Sequence, residues 1–180
     1  MRLVFAAACG LVLASGCSRK APSQITVIDG DRTTRFPVKS AFAEYVELPA
    51  ERNELRLTLA DHPVSCERWT PPKEGEAAVT IVVVMPPDVR PSVSTYGWTG
   101  LPAPGEPLRA AYALPKALIG SQSRLFEPGG SLRLSAVQLD VHGTVSGTLA
   151  FEFPGQGDRP ATRVDGSFEA KMCRYAPATQ

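Results

Sequence analysis

The sequence predicts an all-β fold over residues 24–180, an antiparallel β-sandwich of about seven to nine strands, Ig-like or similar. Three observations predict it. Several runs alternate apolar and polar side chains with a period of two, the signature of strands that turn one face to a core. Glycine (15) and proline (17) are frequent and scattered, which suits short strands joined by turns better than long helices. Hydrophobic residues make up 43% of 180 positions, enough for one domain with its own core and too short a chain for two.

The elements follow in order. Gln24-Ile25-Thr26-Val27-Ile28 and Thr33-Thr34-Arg35-Phe36-Pro37-Val38 flank Asp29-Gly30-Asp31, and an Asp-Gly turn between β-rich runs predicts a hairpin. In residues 38–48, Ser40 is a fitting helix cap, but the mixture of Val, Phe and Tyr favours a strand, which is the reading adopted. Residues 54–60 place Leu55, Leu57 and Leu59 on one face and Glu54, Arg56 and Thr58 on the other, a half-buried strand that Asp61-His62-Pro63 ends. Residues 77–85 are apolar on both faces apart from Thr80, which predicts a central strand stopped by Pro86-Pro87.

From there to Pro115 the chain is proline-rich and without sustained alternation except around residues 109–114, so it reads as a loop-like cover. In residues 131–142 the apolar phase switches from Leu132, Leu134 and Ala136 to Val137, Leu139 and Val141, which predicts a β-bulge near Ala136. Residues 144–153 and 162–172 alternate cleanly, and the Gly/Pro-rich stretch 154–160 joins them as a long hairpin. Gly147 and Gly166 fall on the inner phase of these strands, where a missing side chain lets a neighbouring backbone or a large ring come close.

The formal net charge is +1, and without Arg2 the basic and acidic side chains balance. No long-range field gathers polyanions, which argues against nucleic acid as a partner.

The first sixteen residues differ from the rest. Met1-Arg2 gives a positive start and residues 3–16 carry no charge, too short a run to span a bilayer but suited to a signal peptide. Its end, Leu13-Ala14-Ser15-Gly16-Cys17, resembles the lipobox of bacterial lipoproteins, with leucine one position earlier than usual and Ala14 in its place. The resemblance implies cleavage before Cys17, acylation of that thiol and of the new amino terminus (palmitate being a typical chain), and a lipid anchor in the bacterial cell envelope. Ser18 after the cysteine implies, by the same resemblance, the outer membrane facing the periplasm. The predicted organisation is thus a signal peptide at 1–16, a tether at 17–23 and a single domain at 24–180. The Gly-x-Val-x-Gly at residues 143–147 and Val-x-Gly-x-Phe at 164–168, followed by a cysteine near the end, look like the last strands of uncharacterised β-rich envelope lipoproteins, a likeness that implies a fold and no activity.

Of the four cysteines, Cys9 leaves with the leader and lipid consumes Cys17, so Cys66 and Cys173 remain. Outside the cytoplasm such a pair is most simply a disulfide. A second arrangement is a metal site of His62, Cys66, His142 and Cys173, against which Pro63 argues by keeping His62 out of helical geometry with Cys66.

Catalytic signatures are sparse. No Gly-x-Ser-x-Gly, phosphate-binding glycine loop or Cys-x-x-Cys is present, so no cofactor is expected. Asp61, His62 and Ser65 supply the residue types of a triad, but neighbours on an extended segment point to opposite faces. Glu67, Glu74, Glu76 and Asp88 surround the proline-rich region and define the alternative of a periplasmic hydrolase. Trp69, Tyr96 and Trp98 form a candidate binding loop, since aromatics between glycines stack on sugars or grip peptides, or else fold back as core. The expectation is a non-enzymatic, lipid-anchored binding or structural module, its partner an envelope protein or cell-wall component.

Overall fold

The computed structural model describes residues 23–48, 51–98, 106–119, 122–124, 129–155 and 160–176. The expected signal peptide at 1–16 and the tether up to residue 22, including Cys17, lie outside the described residues. Among the described residues there is no helix, and eleven strands form one hydrogen-bonded sheet. They are β1 (Gln24–Asp29), β2 (Arg32–Pro37), β3 (Ser40–Leu48), β4 (Arg52–Ala60), β5 (Ala77–Met85), β6 (Thr95–Gly97), β7 (Tyr112–Ile119), β8 (Gln122–Arg124), β9 (Gly129–Val137), β10 (Thr144–Phe153) and β11 (Thr162–Ala176).

The expected all-β class holds, with two differences in architecture. The ladders run β6-β9-β10-β11-β3-β4-β5-β7-β8 through a single sheet, with β1 on β11 and β2 on β1, and do not outline two facing sheets. One pair, β11 with β3, is parallel, so the sheet is mixed and not antiparallel throughout. Strand twist curls it until β6 lies against β7, and Trp98 meets Tyr112 edge-on with ring centroids 5.4 Å apart. The result is nearly barrel-shaped, with the core inside the curl.

The core is what the alternation predicts. Leu55, Leu57 and Leu59 of β4 are buried beside Ala43 and Tyr45 of β3 and Ile81 and Val83 of β5. Val145, Leu149, Phe151 and Phe153 of β10 meet Val164, Phe168, Ala170 and Met172 of β11 in the same cluster. The β1–β2 hairpin closes through Gly30-Asp31, with Gly30 at φ 59, a backbone angle that suits glycine at the first central position of a tight hairpin turn.

The bulge falls one residue from the expected position. Ser146 faces Ala136 and Gly147 faces Leu134, which leaves Ser135 as the extra residue, its hydroxyl 3.2 Å from the Ser146 carbonyl. Gly147 and Gly166 admit backbone rather than a ring: a β-carbon at either would lie 2.1 Å from a neighbouring carbonyl oxygen, that of Arg133 or Gln24.

The loop-like reading of residues 86–115 is corrected in two places. β6 forms there as a short edge strand on β9, and β7 begins at Tyr112 and runs through Pro115. Pro115 stands opposite Ile81 of β5 inside the strand, and the described pairing with β8 is at residues 117–119.

Candidate functional site

The site follows from how β11 is shared. One edge of this 15-residue strand pairs with β10 over residues 162–171. Its other edge takes β1 over residues 162–167 and then β3 from Lys171 onward, so residues 168–170 belong to neither ladder on that side. Ser23 caps the gap: its hydroxyl accepts the Glu169 amide at 3.1 Å, and its carbonyl accepts the Val38 amide at 3.0 Å. Two branches leaving one strand diverge, and between them opens a groove of about 980 Å³ bordered by Ser23, Lys39, Phe42 and Lys171.

The loop from Asp61 to Glu76 forms the opposite wall. Its base is tied by the Asp61 amide to the Ala77 carbonyl at 3.1 Å and by the Ala77 amide to Asp61 Oδ1 at 2.9 Å. The Val64 amide donates to Ser40 Oγ at 3.1 Å, which draws the loop toward the start of β3. Cys66 is then bonded to Cys173, with Cα atoms 6.2 Å apart, across 107 residues of chain. The expected disulfide is present, and it lines the groove.

A second bulge makes this possible. Met172 pairs with Ala43 and Arg174 with Glu44, so Cys173 is an extra residue on β11. In unbroken alternation, with Cys173 paired in the ladder, Lys171 and Arg174 would lie three apart and point to opposite faces. With the bulge, both stand on the outer face beside Phe42 and Glu44, while Met172 stays in the core.

The other sequence-derived candidates separate. His62 is buried, with Nδ1 3.2 Å from Asp61 Oδ1 and Nε2 3.3 Å from the Thr70 carbonyl. His142 is an exposed turn residue at φ 76 on the groove's far rim. Because Cys66 and Cys173 are joined, neither offers a thiolate, and no metal-holding group of three or more ligand side chains occurs among the described residues. The four-residue metal site is therefore not assembled. The triad is not either, since the ring of His62 bonds Thr70 and the Ser65 hydroxyl accepts the Arg68 amide at 3.2 Å.

The candidate aromatic loop also divides. Tyr96 is buried in the core with its hydroxyl bonded to the amide and carbonyl of Ser92, each at 3.0 Å, and Trp98 packs on Tyr112 at the barrel seam. Trp69 is 42% exposed on the β4–β5 loop. Of the acids, Glu67 lines the groove and Glu76 accepts the Lys73 amide at 2.8 Å, while Glu74 and Asp88 are solvent-exposed.

One buried carboxylate escaped the sequence reading. Glu54, placed on the outer face of β4 by alternation, is only 5% exposed and bonded to Arg52 at 2.7 Å and to Arg56 at 2.6 Å. Burial alone pushes its carboxyl up, but the hydrogen bonds from Arg56 and Arg52 outweigh that and hold it below its ordinary value. Burial raises the nearby Tyr112 phenol.

Comparison of the chain with protein-family models, with curated proteins and with solved structures finds no match. The functional reading accordingly rests on residues and geometry.

Proposed function

We propose that this chain is a lipid-anchored protein of the bacterial envelope, held at Cys17, whose fork groove is a non-catalytic binding surface for an envelope protein or wall component. The observation that carries the reading is the Cys66–Cys173 bridge. A lasting disulfide belongs to an oxidising compartment, which agrees with a lipobox-type leader ending at Cys17. The same bond holds the β4–β5 loop as a wall of the groove, so it supports both compartment and site.

Anchoring adds a geometric consequence. From Cys17 to Ser23 a chain reaches at most about 20 Å even when fully extended. The groove that Ser23 borders is thereby kept near the bilayer surface, where an outer-membrane lipoprotein facing the periplasm meets its neighbours.

The test is photo-crosslinking in the native envelope from a photoreactive residue placed at Glu67, inside the groove, with Thr34 on exposed β2 as control. Adducts from position 67 and not from 34 are expected. Silence at position 67, with the protein folded and anchored, counts against the binding role.

A further inference from the structure

We infer that the ligand of the fork groove is a short peptide carrying both carboxylate and ammonium groups. The inference deepens the binding role proposed above and rests on it. Three cations, Lys39, Lys171 and Arg174, and two carboxylates, Glu44 and Glu67, line the groove. None of the five makes an ion pair or side-chain hydrogen bond within the described structure, although opposite charges share one wall-to-wall space. Glu169, which also lines the groove, is already engaged, its amide by Ser23 and the residue by a further interaction.

The spacing is specific. The bulge at Cys173 sets Lys171 and Arg174 side by side on one face, opposite Phe42 and Glu44 of the parallel strand. Two adjacent donors with a carboxylate beside them complement a ligand that offers carboxylates and an amine within a few ångströms of each other. Phe42, half-buried between them, supplies an apolar contact for the ligand's backbone or β-carbon atoms. A purely anionic ligand such as nucleic acid meets Glu44 and Glu67, and a neutral sugar leaves the charges unanswered.

The experiment uses full-length protein in detergent and isothermal titration with the tripeptide Ala-Glu-Lys bearing free termini. Binding that weakens as salt is raised is expected, as is loss of about tenfold when glutamine replaces the peptide's glutamate or when its lysine amine is acetylated. Lys171→Gln and Arg174→Gln should each weaken binding by about fivefold or more while leaving the melting temperature unchanged, because both side chains are exposed. Equal affinity for the charged and neutralised peptides, or for the wild type and these variants, overturns the inference. If no peptide binds while crosslinking from position 67 still captures a partner, the ligand assignment fails and the binding role stands; if capture is also absent, both fail.

Discussion

Glu54 shows how a single residue departs from its pattern. Alternation places it on the outward face of β4, yet two arginines fold over it and the carboxylate is removed from water. Because its ionised form is held below the ordinary carboxylate range, the clamp contributes stability at neutral pH that is lost as pH falls through the lowered value. Glu54→Gln should therefore flatten the acid limb of a stability-versus-pH curve followed by chemical denaturation. A curve as steep as the wild type's below the carboxylate range would assign that limb to other groups. Gly166 makes a second prediction at this scale. A methyl group there meets the Gln24 carbonyl, so Gly166→Ala should destabilise by about 1–3 kcal/mol in the same assay. An unchanged midpoint would mean that the β1–β11 spacing relaxes without penalty.

At the scale of elements, legibility depended on whether the cause was local. The hairpin at Gly30, the alternation of β4 and β10, and the bulge at Ser135 were readable because neighbours in sequence set them. β7 was not, because Pro115 signals a break and yet sits inside the strand opposite Ile81. The fork at β11 was not legible either: its change of partner from β1 to β3 joins segments from opposite ends of the chain, and no local pattern marks a parallel pair. Lys39, Lys171 and Arg174 were missed as site residues for the same reason, whereas Cys66 and Cys173 were found by elimination. The second bulge carries its own prediction. Deleting Cys173 in a Cys66→Ser background should remove the bulge while keeping Arg174 opposite Glu44 on the outer face, so stability should stay close to that of the variant with both cysteines replaced by serine. A large further loss of stability would show that the β11–β3 register depends on the extra residue itself.

At the scale of the molecule, one covalent bond ties the two halves of the sheet's history together. The Cys66–Cys173 bridge closes a 107-residue loop, and the chain-entropy model assigns such a closure about 4–5 kcal/mol. Replacing both cysteines with serine should lower stability by about that amount and loosen the β4–β5 loop first, as seen by hydrogen exchange at residues 62–70. Uniform loosening, or none, would mean that Ser40 and Asp61 hold the loop without the bridge.

The proposed anchor requires that an oxidised domain hang by lipid from the residue that follows its leader. Intact-mass analysis of the mature chain taken from envelopes tests it most directly. The expected mass is that of a chain beginning at Cys17 that carries diacylglycerol and an acyl group, with the thiol hydrogens of Cys66 and Cys173 missing. An unmodified Cys17, or a chain that retains its leader with both thiols reduced, would contradict it.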